Sequence, residues 1–312
     1  MKILVTGASG FAGSHLIEAL LAKGHSDVYG TAFGKPDFIA SLLQEDHIIN
    51  VNLTDKTAVR TVLENIKPDW IFHLASFAFV GESFQKGEEL LINNLGLQFS
   101  ILEGLREIVP QAKTLIIGSA EEYGLSEDGE LPMSESHPFR PINPYSVSKL
   151  AQDMLAYAYA VSYKLNIIRV RPFNHIGERQ SPEFAVSAFA KQIAMIEKGK
   201  QAELHVGDLS GIRDFTDVKD MVHAYILLME KGNGGDVYNV GTGVGISMTE
   251  VLQKLVGMSK AVVKVVKDES RLRPLDIKEI VADNRKIREL GWNPTIPLEH
   301  TLQRVLEYWR NI

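Results

Sequence analysis

Through the first half of the chain, short apolar runs alternate with stretches whose apolar residues recur at helical spacing. Ile3-Leu4-Val5 reads as a buried strand. A glycine-rich segment follows, then Leu16, Ile17, Leu20 and Leu21 on one helical face. Further strands are predicted over 27–31, 47–51, 70–75, 113–118 and 165–170, with helices over 56–65, 88–109 and 147–163 between them. Strands alternating with helices imply right-handed crossovers and a parallel sheet covered on both faces. The predicted class is α/β, a doubly wound parallel sheet.

The rhythm changes after Arg171. Pro172 and the polar stretch 177–183 mark a loop, and turn-rich segments surround 207–211 and 232–235. Helices are predicted over 185–197 and 218–231 and a strand over 236–240. From 247 to 309, two helical stretches enclose a short strand at 262–266. This pattern predicts a smaller second domain interleaved with the first. Residues 1–171 with about 214–240 would form the first, and about 172–213 with 241–312 the second.

Composition narrows the function classes. The 312 residues carry a net charge of −6, which argues against nucleic-acid or anionic-membrane partners. There is no cysteine, so disulfides, thiolate metal sites, iron–sulfur clusters and cysteine nucleophiles are excluded, and no metal site is expected. The longest apolar run, 154–161, falls far short of a membrane span, and the apolar start before Gly7 is too brief for a secretory leader. A cytoplasmic globular protein is expected.

Candidate chemistry begins between the first strand and first helix, at Gly7-Ala8-Ser9-Gly10-Phe11-Ala12-Gly13. Glycines permit the tight turn and a close backbone approach, and the following helix presents N–H groups and its positive end to a pyrophosphate. In that context the loop predicts dinucleotide binding, a Rossmann-type domain. The end of the second strand, Tyr29 to Lys35, lacks the acid that would bind a ribose 2′-hydroxyl. Thr31 and Lys35 are candidates for a 2′-phosphate, so NADP(H) is favoured and NAD(H) remains open.

Tyr145 and Lys149 lie one helical turn apart. An ammonium there is expected to lower the phenol pKa and make Tyr145 a proton donor or acceptor. Ser119, just past the predicted strand at 113–117, supplies a hydroxyl for the reacting oxygen. His73 reads as a core histidine and is left outside the site.

These residues resemble those of the extended short-chain dehydrogenase/reductase superfamily over essentially the whole chain. The resemblance rests on the glycine loop, His73-Leu74-Ala75-Ser76, Ser119 to Gly124, and Tyr145 with Lys149. In the second half, Arg171 to Gly177, Gly211 to Val218 and Arg271-Leu272-Arg273-Pro274 are similar to the GDP-4-dehydro-6-deoxy-D-mannose reductases. The resemblance implies Ser119, Tyr145 and Lys149 as the catalytic triad. It implies cofactor contacts from Asn52, Leu53, Leu74, Ala75, Ser76, Tyr145, Lys149 and Pro172 beside the loop, with Lys149 positioning the nicotinamide ribose. Asn174 and His175 would line the sugar site, with Lys191 on the substrate side and Arg213 and Arg273 clamping the diphosphate. A GDP-sugar substrate and a homodimer through 88–109 and 147–163 are implied as well, with Ala156, Tyr159 and Phe99 as seam candidates.

The chain departs from the superfamily at Asn52, where an acid is usual. Glu121 stands where related dehydratases carry a base, while Ala120 replaces a second acid found in the thymidine-sugar enzymes. Glu121 therefore remains a catalytic and substrate-contacting candidate. The expected activity is reduction of a C4 ketone to GDP-D-rhamnose or its C4 epimer. A 4,6-dehydratase, a 4-epimerase and a nucleotide-sensing binding protein stay open as alternatives.

Overall fold

The computed structural model describes residues 1–78 and 80–312. β1 (Ile3–Thr6), β2 (Val28–Ala32), β3 (Ile48–Asn50), β4 (Trp70–His73), β5 (Lys113–Ile117) and β6 (Ile167–Pro172) form a parallel sheet. Its order is β6-β5-β4-β1-β2-β3, with β10 (Val237–Val240) added beside β6. The strand sequence reverses between β1 and β4, the topological switch point of a doubly wound fold.

Neighbouring strand residues serve opposite faces. Ile3, Val5, Phe72, Leu115 and Ile168 enter the core under α1 (Phe11–Ala22) and α7 (Val218–Lys231). Leu4, Ile71, Ile116 and Ile167 enter the core under α2 (Lys56–Ile66), α4 (Gly87–Glu107) and α5 (Pro144–Tyr163), with the single turn α3 (Val80–Ser83) ahead of α4. Each fully buried aliphatic side chain stabilises this layering by about 2 kcal/mol.

A second layer is built on β9 (Ile212–Asp217), which pairs with β7 (Asn174–Ile176), β11 (Gly245–Ser247) and β13 (Glu279–Ile280). β8 (Glu203–Val206) pairs with β12 (Lys264–Lys267). α6 (Ala185–Glu197), α8 (Met248–Gly257) and α10 (Leu298–Asn311) close a separate core around Phe189, Ile193, Leu204, Leu255 and Leu302. The short α9 (Arg285–Glu289) leads back to the first core, where Ile287 and Trp292 are buried.

Several boundaries differ from the sequence expectation for local reasons. β4 stops at His73, because Leu74 to Ser76 turn toward the glycine loop. β6 runs on to Pro172, held by its pairing with Val240. α5 begins three residues early, at Pro144. The Asn143 side chain accepts the Ser146 N–H at 2.8 Å, and a proline suits the first helical position. β9 straddles the expected domain boundary near 214. Among the described residues, no helix is long and apolar enough to cross a membrane, and no cluster of three metal-ligating side chains occurs.

Candidate active site

The carboxyl ends of the parallel strands gather the site. Gly7 has φ +68°, and a Cβ there would lie 2.8 Å from the Ala75 nitrogen, so the end of β4 rests directly on the loop. A Cβ on Gly13 would stand 2.2 Å from the Gly7 carbonyl oxygen. Gly10 caps α1 without a side-chain hydrogen bond, and its first turn holds no acid. The N–H groups of Phe11, Ala12 and Gly13 and the positive helix end thus remain available to an anion. The exposed backbone, the tight glycines and the uncapped helix fit a dinucleotide pyrophosphate.

Around this loop the cofactor candidates divide. Thr31 is buried and its hydroxyl accepts the Gly7 N–H at 3.2 Å, so it holds the loop instead of reaching a 2′-phosphate. Lys35 is exposed beyond β2, where the Gly34 N–H donates to Asn50. Asn52 is exposed, with its side-chain oxygen accepting from the Thr54 N–H and hydroxyl, while Leu53 is part of the core. Ser9, Leu74, Ala75 and Ser76 are half-buried along the crevice, and Pro172 is buried at the end of β6.

Ser119 follows β5 and caps the turn Ala120–Glu122, its Oγ accepting the Glu121 N–H at 3.2 Å. Tyr145 lies in the first turn of α5 with its phenol beside Ser119. Ser119, Tyr145 and Lys149 are 9%, 7% and 4% exposed. The expected lowering of the Tyr145 pKa by Lys149 does not hold. Burial drives the phenol well above its ordinary value, the Ser119 side chain opposes this only in part, and Glu121 and Glu122 push it up further. Lys149 instead donates to the Ile117 carbonyl at 2.8 Å and to Gln152 Oε1 at 3.1 Å, and burial lowers its own pKa. His73 sits nearby, bonded through Nδ1 to Thr6 Oγ1 at 2.7 Å. Burial, with Lys149 adding to it, pulls its pKa down to about 3 and keeps it neutral.

On the facing layer, Arg213 and Arg273 converge on the same oxygen of Asp276, at 2.9 and 3.5 Å. Burial raises the Glu121 carboxyl pKa, and the charges of these two arginines oppose that rise. Asn143 donates to Glu121 at 3.4 Å, so Glu121 links the arginine pair to the cap of the Tyr145 helix. The expected diphosphate clamp and the triad thus face one another. Asn174 is half-buried on β7, whereas the His175 ring stacks on Phe11 at 5.8 Å and so belongs with the glycine loop. Lys191 lies over the Trp309 ring and lines a cavity of about 360 Å³ with Gln192, Gln201, His205 and Arg271.

Asp276, Asn143 and the cavity residues Gln192, Gln201 and His205 were not legible as site members. Asp276 stands three residues after Arg273, the one local signal of its pairing. Asn143 before Pro144 is a helix-start signal whose link to Glu121 exists only in the fold.

A switch-point crevice with a glycine loop and a Ser–Tyr–Lys set defines a protein of the short-chain dehydrogenase/reductase type. The chain belongs to the GDP-mannose 4,6 dehydratase family, whose model matches residues 4–305. It is 31% identical to a GDP-6-deoxy-D-mannose reductase from Pseudomonas aeruginosa, over 99% of this chain and 97% of that one. The structure of RMD from Pseudomonas aeruginosa complexed with NADPH superposes with a TM-score of 0.85 at 30% identity, covering 100% and 99% of the two chains. UDP-glucose 4-epimerase from Thermus thermophilus in complex with NAD gives 0.89 at 28% identity, covering 99% of each. The chain is accordingly an enzyme, a nicotinamide-dependent nucleotide-sugar oxidoreductase of the extended type.

Proposed function

We propose that the enzyme reduces the C4 ketone of GDP-4-dehydro-6-deoxy-D-mannose with NADPH, giving GDP-D-rhamnose or its C4 epimer. The observation that carries this reading is the 31% identity to a GDP-6-deoxy-D-mannose reductase along 99% of this chain. The buried Ser119, Tyr145 and Lys149 set supplies the proton donor that a ketone reduction needs.

The loop at 7–13 would hold the cofactor pyrophosphate, Lys35 the adenosine 2′-phosphate and Lys149 the nicotinamide ribose. NADPH, when bound, supplies the hydride. Tyr145 gives its proton to the ketone oxygen as that oxygen gains charge, and Ser119 hydrogen-bonds the same atom. Arg213 and Arg273 orient the substrate by its diphosphate, for which a planar guanidinium is well shaped. The cavity at Lys191 and Arg271, the latter two residues before Arg273 in the chain, would take the nucleoside end. Arg213→Ala is expected to raise the KM for the GDP-sugar about tenfold to a hundredfold, with NADPH affinity unchanged, as read by steady-state kinetics and cofactor fluorescence.

The dehydratase reading is favoured by one observation, the burial-raised carboxyl of Glu121 beside the triad. Glu121→Gln separates the two. A reductase variant is expected to keep kcat within about tenfold, because no C–H proton is removed, whereas a dehydratase would lose its base and fall by about 10²–10⁴.

We further propose a homodimer through α4 and α5. Ile92 and Phe99 on α4, and Val147, Met154 and Val161 on α5, are exposed at seven-residue spacing, two apolar stripes side by side. Of the seam candidates only Phe99 belongs to them. Ala156 is fully buried in the core, and Tyr159 packs against that core and bonds Glu103. Val161→Glu with Met154→Glu is expected to give a folded monomer by light scattering; an unchanged dimer would exclude this face.

A further inference from the structure

The turn that carries Ser119 holds a second carboxylate for which the reaction has no use. Glu122 is 0% exposed, and its Oε1 accepts the Ser119 backbone N–H at 2.6 Å. Its other oxygen lies 3.3 Å from Arg171 Nε without a hydrogen bond, and burial, with the Asp153 charge adding to it, raises the carboxyl pKa to about 8. Arg171 is itself fixed, donating to Asp153 at 2.5 Å, the Tyr123 hydroxyl at 3.0 Å and the Glu135 carbonyl at 3.0 Å. Space for the carboxylate comes from Gly118, where a Cβ would stand 2.4 Å from Glu122 Oε1.

The bond to Ser119 is returned. Ser119 Oγ accepts the Glu121 N–H while Glu122 takes the Ser119 N–H, a reciprocal cap closed over three residues. A free serine hydroxyl samples three rotamers. One whose oxygen already accepts a backbone N–H is confined to one of them, and its proton remains free for the reacting oxygen. A buried carboxyl is an expensive way to cap a short turn, since an apolar residue would avoid desolvating a polar group. Its placement makes sense where the capping serine must not move.

We propose that Glu122 is a positioning residue, holding the Ser119 turn through its backbone N–H while packed beside Arg171, so that the serine hydroxyl stays beside Tyr145. The inference rests on Ser119 and Tyr145 acting on the sugar oxygen, and not on which nucleotide sugar is turned over. Glu122 acts through Ser119, so its effect disappears when Ser119 is removed.

The test is a double-mutant cycle on whichever nucleotide sugar the wild type turns over, with the Ser119 amide resonance followed by NMR without substrate. Glu122→Val is expected to lower kcat about tenfold to a hundredfold, with KM and NADPH affinity within about threefold. Added to Ser119→Ala, the same change is expected to cost less than about threefold more. Glu122→Gln keeps an acceptor for the Ser119 N–H and should recover most of kcat. Gly118→Ala, which crowds the carboxyl off that N–H without removing it, should reproduce the loss. The Ser119 amide proton is expected far downfield in wild type and Glu122→Gln, and shifted upfield in Glu122→Val and Gly118→Ala. An amide resonance indifferent to Glu122, or equal losses with and without Ser119, would overturn the proposal. A Ser119→Ala variant with full activity would instead remove the site reading beneath it.

Discussion

Tyr145→Phe is expected to lower kcat about 10³-fold while NADPH affinity stays within about twofold. The ring is almost wholly buried, so phenylalanine fills the same space and only the hydroxyl is lost. That hydroxyl stands beside Ser119, where it can give its proton to the reacting oxygen. Lys149 cannot substitute, because its ammonium is engaged by the Ile117 carbonyl and Gln152. The cofactor loop lies on the end of β1 and shares no side chain with Tyr145, so binding and turnover should separate. Stopped-flow hydride transfer and fluorescence titration on one preparation check both halves; surviving turnover would mean that another group supplies the proton.

Gly13→Ala is expected to weaken NADPH binding on the order of a hundredfold in a chain that still folds. The added Cβ meets backbone only, the Gly7 oxygen at 2.2 Å and Ala8 Cα at 2.8 Å, and no rotamer relieves it. The first turn of α1 must then move off the loop, taking with it the N–H groups offered to the pyrophosphate. Losing one or two hydrogen bonds to a charged oxygen, at about 1.5–3 kcal/mol each, accounts for the factor. Gly10→Ala is the control, since its Cβ would come no nearer than 3.2 Å to the Gly7 oxygen and should cost much less. Isothermal titration with NADPH, beside circular dichroism for the fold, reads the difference.

The doubly wound sheet was legible because each core strand carries an apolar run served by both faces. β7 and β11, three residues each, and the two-residue β13 were not, since so few positions show no period. They reach their common partner β9 from distant points in the chain. The glycine loop, Ser119 and the Tyr145–Lys149 turn stood out because their chemistry depends on local spacing. The upward shift of the Tyr145 pKa did not, because it is set first by burial, and burial is a property of the folded chain. Arg213 and Arg273, far apart in sequence, came from family resemblance alone. Their meeting at Asp276, and the link through Glu121 to Asn143, appeared only once β9 and the segment before β13 were placed beside the Tyr145 helix.

The most direct test follows nicotinamide absorbance after mixing the purified enzyme with NADPH and GDP-4-dehydro-6-deoxy-D-mannose, with GDP-mannose in a parallel cuvette. The expected result is stoichiometric loss of NADPH with the keto-sugar and none with GDP-mannose. No loss with the keto-sugar, together with conversion of GDP-mannose to a keto product in the presence of NADP, would contradict the reductase assignment and make Glu121 the base of a dehydratase.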